Sequence, residues 1–430
     1  MERKSKLIIS VIIVGSFIFA SCFIYLYLNY NSMRNDSEDA YPYYYLLLNP
    51  IEESSMPQGI RLTVIDGLNN SIGISWFTTK NASNPEVEYS LNSDFSDSNS
   101  IDANVSYIST FFIYHAKLSD LQSNKTYFYQ VSSDITTKRE IMNFTTLATS
   151  SNNTKFLVYG DSRTQRTVRN MLGQKFMENF TNYFDFSIHT GDIVHHGSIQ
   201  DEWNNYFIDM EVVYGYKQGV FVEGNHEQGS STKMYDNLLM NSTADNRYYA
   251  FSYNDIGFII LNSNAAAVDD DTQTDWLNET LFDFSQKNLF NFVYLHHPLL
   301  HSRIDPYFQE KLSPLFDKYN ASIIFCGHNH HYERSFPMIN STSLEYNNTE
   351  KYNYSELTDP IYIVTGGAGA PLYGFDHDNF TAAREKAYHF VIVEVEKELN
   401  KTEISLEAYG MPENFGPLQL IDNITITNFN

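Results

Sequence analysis

Five largely apolar runs that all end in the same way constrain the fold of this chain more than any other feature. Each run has the length of a short strand and leads into a Gly or His followed by polar residues. The runs are KFLVYGDS (155–162), FDFSIHTGDIV (184–194), GVFVEGNHE (219–227), FNFVYLHHP (290–298) and SIIFCGHNH (322–330). Strands that are apolar throughout are typical of sheets covered on both faces, with many parallel pairings. Because helix-like or loop segments separate the runs, the sequence predicts an α/β domain.

Residues that can bind metal stand at the end of every one of these runs. They are Asp161, Asp192, Asn225, His296, and His328 with His330. The carboxyl edge of an open α/β sheet is where ligands bind, so the six side chains are expected to meet at one sheet edge. Mixed nitrogen and oxygen donors suit Zn, Fe, Mn or Co and are unlike the thiolate sets of structural zinc sites. Six donors exceed the need of one tetrahedral ion and favour two ions bridged by a carboxylate.

The residues around these donors form motifs that resemble the calcineurin-like metallophosphoesterase superfamily, and within it the purple acid phosphatase branch. The motifs are GDSR (160–163), GDIVH (191–195), GNHE (224–227), VYLH (293–296) and GHNHHYER (327–334), with QTDWLNETL (273–281) and TGGAGAPLY (365–373) as further similar segments. The resemblance covers roughly residues 57–400. It implies a four-layer αββα metallophosphoesterase sandwich as the α/β part of the fold.

The same resemblance implies a role for each residue and a reaction. Asp161 and His330 would hold the first metal ion, Asp192 would bridge, and the second ion would be held by Asn225, His296 and His328. His226 would contact phosphate and protonate the leaving group. The implied function is acid-phosphatase-like: hydrolysis of phosphate monoesters by a metal-bound hydroxide at a dinuclear centre of divalent or trivalent Fe, Zn or Mn. The implied partner is a small phosphorylated substrate.

Two residues, His195 and Arg163, depart from the family pattern, and a third, His301, stands where related enzymes have a histidine. His195 stands where the purple enzymes carry a tyrosine, so no purple colour is expected and the first ion would be Fe(II), Zn or Mn. His195 is a candidate extra metal ligand, with simple solvent exposure as the alternative. Arg163 replaces a Gly or ligand His of related branches, and is a candidate phosphate contact unless it pairs with a neighbouring carboxylate. His301 is a candidate substrate contact.

Two other functions remain open from the sequence. The same metals could serve a phosphodiesterase or nucleotidase. The chain could also be a non-catalytic, membrane-anchored binding glycoprotein with an inactive hydrolase domain. An inactive domain is expected to have lost metal ligands, whereas all six ligand positions hold competent residue types here.

The part of the chain before the motifs has a different pattern of apolar and polar residues. Residues 57–148 contain short alternating runs with turn signals, which predicts an all-β sandwich. The stretch LSDLQSNKTYFYQV resembles the tyrosine-corner region of fibronectin type III domains, with Tyr127 as the corner residue. A fibronectin type III-like domain is therefore predicted to precede a catalytic domain at 153–430, joined by a polar hinge.

The N-terminus predicts export. A basic start (1–6) precedes 22 uncharged positions (7–28), read as a transmembrane helix with the N-terminus inside, followed by a linker (29–56) and an extracellular catalytic domain. The alternatives are a cleaved signal peptide, giving a secreted form if residues 1–30 are removed, and a lipoprotein-like site at 19–22. Seventeen Asn-x-Ser/Thr sites fit a glycoprotein. The net charge of −24, with no basic patch, excludes a nucleic-acid partner.

Overall fold

Strands dominate the part of the chain that the computed structural model describes. That part is residues 54–430 apart from 66, 109, 135, 229–233, 241–246, 265–267, 269–270, 301–305, 343, 347–349, 376–377 and 430. In chain order the strands are β1 (Gln58–Thr63), β2 (Ile72–Thr78), β3 (Glu86–Ser90), β4 (Asn99–Asp102), β5 (Asn104–Ile108), β6 (Phe111–Leu118), β7 (Thr126–Ser132), β8 (Met142–Thr145), β9 (Asn153–Tyr159), β10 (Phe186–His189), β11 (Gln218–Phe221), β12 (Tyr249–Tyr253), β13 (Ile256–Ile260), β14 (Phe290–Tyr294), β15 (Ile323–Cys326), β16 (Tyr332–Ser335), β17 (Asn353–Ser355), β18 (Ile361–Thr365), β19 (Thr381–Glu385), β20 (Tyr388–Lys397), β21 (Lys401–Met411) and β22 (Gln419–Phe429). The helices are α1 (Arg166–Phe180), α2 (Gln200–Tyr214), α3 (Met234–Leu238), α4 (Asp271–Ser285) and α5 (Pro306–Lys318).

The strands form sheets of eleven, seven and four strands within the described residues. The eleven-stranded sheet has the order β17-β22-β21-β20-β9-β10-β11-β1-β2-β6-β5, and the seven-stranded sheet has the order β12-β13-β14-β15-β18-β16-β19. The strands β9, β10 and β11 are parallel, as are β13, β14, β15 and β18. The five apolar runs therefore belong to two sheets. The first three lie in the larger sheet and the last two in the smaller one.

The two larger sheets pack face to face through an aromatic core. Phe156 of β9 stacks on Phe186 of β10 and meets Phe258 and Phe292 of the opposite sheet edge-on, with ring centroids 5.4–5.6 Å apart. Every second residue of these strands points the other way, because side chains alternate along a strand. Runs that are apolar at consecutive positions can therefore fill both faces, as the sequence predicts for covered strands.

Helices cover the outer faces of both sheets. Tyr159 of β9 packs on Phe176 of α1, with ring centroids 5.3 Å apart. On the smaller sheet, outward residues of β13, β14 and β15 form one buried cluster with Leu277 of α4 and Phe316 of α5. The layer order is helix, sheet, sheet, helix. This is the metallophosphoesterase fold that the motifs imply.

The N-terminal β domain is a two-sheet sandwich. The four-stranded sheet, in the order β4-β3-β7-β8, packs on β1, β2 and β6 around Trp76, which stacks on Tyr114 at 5.4 Å. The Tyr127 hydroxyl accepts a hydrogen bond of 2.9 Å from the backbone N–H of Gln122. This contact has the form of a tyrosine corner. The β domain is thus present, while its assignment to the fibronectin type III class stays a prediction.

A polar seam joins the β domain to the catalytic part of the chain. The strand β1 pairs in parallel with β11, so one sheet runs through both parts. Buried Arg61 donates from Nε to the Leu238 carbonyl at 2.9 Å and lies over the Phe207 ring, and His115 Nε2 donates to the Asn237 carbonyl at 2.8 Å. The last carbonyls of a helix have no partner within that helix, so these two side chains cap α3.

The predicted N-terminal transmembrane helix is corrected here. No helix among the described residues is both long and apolar enough to cross a membrane. Residues 1–6 and 7–28, and most of the predicted linker at 29–56, lie outside the described residues. The fold class that the structure supports is the metallophosphoesterase fold with an N-terminal β domain, and the described residues give no support for the predicted transmembrane helix. Extracellular placement and glycosylation stay predictions.

Candidate metal centre

The structure brings the six predicted metal-binding residues together between the two larger sheets. Asn225 Oδ1 lies 3.0 Å from His296 Nε2 and 2.9 Å from His328 Nδ1. The nearest Asp192 oxygen is 3.2 Å from His296 Nε2. His330 Nε2 lies 3.4 Å from an oxygen of the sixth residue, Asp161. The predicted convergence is therefore observed, but across the carboxyl ends of strands from two sheets.

Tight backbone geometry positions three of these side chains. Asp161, Asp192 and His328 adopt φ values of 55°, 55° and 68°, a left-handed conformation that is uncommon for residues other than glycine. Such conformations persist where the surroundings impose them, and they cluster at functional sites. The glycines beside them permit close approach: a Cβ on Gly191 would lie 2.6 Å from His296 Nδ1. This is the physical reason for the repeated glycine before a polar residue.

Glu227 holds the loop that carries Asp192, and the sequence analysis assigned it no role. Its carboxylate accepts hydrogen bonds from the backbone N–H groups of Asp192 (2.9 Å), Ile193 (2.9 Å), Val194 (3.2 Å) and Gly224 (2.7 Å). Burial and the charge of Asp192 raise the pKa of Glu227 to about 8. The hydrogen bonds from the N–H groups favour the carboxylate and act in the opposite direction, but they only partly offset this shift. The signal in the sequence was the last residue of the GNHE motif.

Backbone carbonyls fix the orientation of two imidazoles. His296 Nδ1 lies 2.9 Å from the carbonyl of Thr190, and His330 Nδ1 lies 2.7 Å from the carbonyl of Pro371. A nitrogen that donates to a carbonyl carries the proton, so the other nitrogen of each ring presents a lone pair. In both residues that second nitrogen, Nε2, faces a carboxylate. This is how metal-binding histidines are commonly held.

The donor set fits cations. One oxygen of Asp161, Oδ2, accepts the His328 N–H at 2.8 Å, while Oδ1 is buried and has no hydrogen-bond partner among the described residues. A buried carboxylate oxygen without a partner is costly unless a cation neutralises it. Ligand atoms of Asp161, Asp192 and His296 lie within 4.8 Å of one another, and so do those of His296, His297 and His328. The site therefore has two overlapping groups of donors.

Arg163 lies inside this site, with 2% of its surface exposed. Its Nε is 3.3 Å from Asp192 Oδ2, its Nη1 donates to His195 Nδ1 at 2.8 Å, and its Nη2 is 3.4 Å from His330 Nε2. Of the two predicted readings, pairing with a neighbouring carboxylate is the contact that the structure contains. Burial and the charge of Arg163 lower the pKa of His195 to about 3.

His226 lies at the mouth of the site. Its Nδ1 donates to the carbonyl of His195 at 2.6 Å, and its ring stacks on the His195 ring with centroids 4.8 Å apart. Its Nε2 lies 3.8 Å from Asp192 Oδ2, and 22% of the side chain is exposed. The third candidate substrate residue, His301, lies outside the described residues.

His297, to which the sequence analysis assigned no role, also lies close to the metal-binding side chains. Its Nδ1 lies 2.9 Å from Ser263 Oγ, and its ring centroid is 4.7 Å from that of His328. Burial, with the neighbouring His296 and His328, lowers the pKa of His297 to about 2. The signal in the sequence was the second histidine of HHP (296–298), directly after the predicted ligand His296.

Comparisons with known proteins agree with this fold and site, which define a metal-dependent phosphoesterase. The family model described as "Purple acid Phosphatase, N-terminal domain" matches residues 57–146, and the model described as "Calcineurin-like phosphoesterase" matches residues 131–332. The chain is thus similar to the calcineurin-like phosphoesterases over one part and to the N-terminal domain of the purple acid phosphatases over another.

Individual relatives are distant. "Probable inactive purple acid phosphatase 1" of Arabidopsis thaliana is 25% identical over 238 residues, which cover 48% of this chain and 38% of that protein. "Purple acid phosphatase 5" of the same plant is 23% identical over 370 residues, covering 79% of this chain and 87% of that protein. The solved structure of purple acid phosphatase PPD1 from yellow lupin (Lupinus luteus) seeds matches with a TM-score of 0.71 at 19% identity, covering 87% of this chain and 75% of that one. This last likeness shows the fold.

Proposed function

We propose that the protein hydrolyses phosphate monoesters at a dinuclear metal centre, as acid phosphatases do. The observation that carries the proposal is the place of Asp192. Its Oδ1 lies 3.2 Å from His296 Nε2, the nitrogen that also lies 3.0 Å from Asn225 Oδ1, and its carboxylate groups with that of Asp161 within 4.8 Å. A carboxylate placed between donors of both positions is what two adjacent ions require.

The residues divide between the two ions as the family pattern implies. The first position would be held by Asp161, Asp192 and His330, and the second by Asp192 with Asn225, His296 and His328. Nitrogen and oxygen donors of this kind suit Fe, Zn or Mn. When bound, such ions acidify water and neutralise the charge of a phosphoryl group.

His226 supplies the proton in this proposal. Because Nδ1 is held by the His195 carbonyl, the exchangeable proton of the imidazolium is the one on Nε2. That nitrogen lies 3.8 Å from Asp192 Oδ2 on a side chain that is 22% exposed, so a phosphate ester entering from solvent could place its leaving oxygen beside it. A general acid at hydrogen-bond reach of the leaving group lowers the barrier to its departure. The stacked His195 ring limits rotation of His226, which keeps Nε2 directed at the site.

A substrate panel tests the function. Protein loaded separately with Zn²⁺, Mn²⁺ or Fe²⁺ is assayed on p-nitrophenyl phosphate, bis(p-nitrophenyl) phosphate and a nucleotide, with metal content measured on the same samples. Hydrolysis of the monoester well above that of the diester is expected, and a chelator should abolish it. A faster diester or nucleotide reaction would assign the site to a phosphodiesterase or nucleotidase. Fully loaded protein that is inert to the whole panel would show a binding protein.

A further inference from the structure

The guanidinium of Arg163 lies against donors of the first metal position, including the carboxylate that bridges to the second. Each of its three nitrogens faces a different side chain: Nε faces Asp192, Nη1 faces His195, and Nη2 faces His330. Asp192 and His330 are ligands of the first position in the proposed function. His195 is the residue that replaces the tyrosine of the purple enzymes. One planar cation thus contacts three of the groups that would face the first ion.

At the second position the short contacts run between the donors themselves. Asn225 Oδ1 lies 3.0 Å from His296 Nε2 and 2.9 Å from His328 Nδ1. These atoms converge on a point around which each still presents a lone pair when the histidines are neutral. The two positions therefore differ in kind. At the second position the donors contact one another and the shared carboxylate, whereas at the first position the permanently charged guanidinium of Arg163 contacts the donors.

We propose that Arg163 competes with metal for the first position, so that the chain binds one ion tightly at the second position and takes up another only when the guanidinium is displaced. The inference rests on the proposed function and assigns Arg163 a part in metal loading rather than in substrate binding.

Charge and donor geometry both support the competition. The carboxylates Asp161 and Asp192 are buried, and a guanidinium in contact with Asp192 offsets part of their charge without any metal. Arginine is suited to this because its fork is planar, permanently charged and able to donate in several directions at once. A metal ion entering the first position would be repelled by the positive charge of the guanidinium. It would also find that the lone pairs of His195 Nδ1 and His330 Nε2 already face N–H groups of Arg163.

The backbone around Arg163 directs its side chain towards the metal centre. Arg163 follows Asp161 by two residues in the loop after β9, where Asp161 and Thr164 both have positive φ. The Arg163 N–H donates to the Asp192 carbonyl at 3.3 Å, which ties the loop to the one that carries the bridging carboxylate. The side chain has 2% exposure and points into the site.

Metal counting tests the proposal. Wild-type protein, Arg163→Gly and the control Arg166→Gln are dialysed against a series of Mn²⁺ concentrations, and bound metal per chain is measured by mass spectrometry. Arg166 is the matched control because its guanidinium binds Asp209 at 2.7–2.8 Å. We expect the wild type and the control to bind about one ion where Arg163→Gly binds about two, with first-position affinity raised on the order of 10- to 100-fold by the substitution.

Electron paramagnetic resonance of Mn²⁺ provides a measurement on the wild type alone. The first equivalent should give the signal of an isolated ion, and the signal of coupled ions should appear only at higher concentration. Coupled ions from the first additions, or equal metal counts in wild type and Arg163→Gly, would overturn the proposal. If the glycine variant does not fold, Arg163→Gln replaces it. A glutamine carries no charge and cannot donate to three groups at once, so an unchanged count in that variant also overturns the proposal.

Hydrolysis of p-nitrophenyl phosphate by the same samples separates this proposal from the proposed function. Wild type that binds two ions equally and is active refutes the role of Arg163 and leaves the function standing. Samples that follow the expected counts but hydrolyse no ester refute the function and leave the role of Arg163 standing.

Discussion

The buried polar side chains of the domain seam and those of the metal centre differ in how completely they are bonded. At the seam between the β domain and the catalytic part, Arg61 and His115 end on backbone carbonyls of α3. At the metal centre, Asp161 Oδ1 is buried without a hydrogen-bond partner among the described residues. A buried carboxylate oxygen of this kind is costly unless a cation neutralises it. We therefore expect substitutions at the seam to change mainly stability, and substitutions at the metal centre to change mainly activity.

The largest expected effect belongs to the metal centre. Asp192→Asn removes the shared negative charge but keeps the shape of the side chain and an oxygen that can accept the His226 N–H. We expect kcat for p-nitrophenyl phosphate to fall about 10³-fold or more, because the charge that binds both ions is lost. The melting temperature of metal-free protein should change little. Full activity of the variant would refute the bridging role.

Arg61→Ala should show the opposite behaviour. The change leaves the Leu238 carbonyl without its donor, removes the contact with Phe207 and opens a cavity at the seam. We expect the free energy of unfolding to fall by about 2–4 kcal/mol, measured by urea denaturation. Activity per folded molecule should be unchanged. Lys125→Ala, an exposed cation of the same domain, is the control and should stay within about 0.5 kcal/mol of wild type.

Glu227→Gln tests whether the metal centre depends on its supporting hydrogen bonds. A neutral amide has one oxygen in place of two, so the N–H groups of Asp192, Ile193, Val194 and Gly224 cannot all keep their acceptor. We expect a loss of about 10- to 100-fold in metal affinity or kcat. Metal titration and steady-state kinetics measure the two effects. An unchanged affinity together with an unchanged rate would show that Glu227 only fills space.

The smallest effect concerns pH at the seam. Burial and the charge of Arg61 lower the pKa of His115 from 6.5 to about 4. Between these values the unfolded chain takes up a proton that the folded chain does not, so stability falls as pH falls. From pH 7 to pH 5 the loss due to this residue is about 1–2 kcal/mol. His115→Gln should lose less stability than wild type over that range in urea denaturation at each pH. Parallel curves would contradict the assignment.

The sequence predicted the residues of the metal centre because the signals are local. Each donor follows a short apolar strand, and the glycine beside it marks a close approach, as Gly191 shows beside His296. The division of the five runs between two sheets depends on pairings between distant segments, which apolarity alone does not specify. The contacts of Arg163 and Glu227 depend on three-dimensional arrangement as well. Their residue types were visible in the motifs, but the atoms that they meet were not.

The N-terminal domain was predicted as a separate unit joined by a hinge at about 145–154, and its strands were read correctly as all-β. Nothing local in the sequence shows that β1 pairs with β11, because the two strands are more than 150 residues apart and Leu62 meets Gln218 only in the folded chain. Long-range strand pairing of this kind is what single-sequence patterns carry least well.

This pairing has a consequence for dissecting the protein. A fragment that starts after the polar hinge would lose β1 and leave one side of β11 with bare N–H and C=O groups, next to the loop that carries Asn225. Exposed strand borders recruit other chains and promote aggregation. We therefore expect the phosphoesterase part to fold poorly on its own, because the preceding β domain supplies the strand that covers the edge of its sheet.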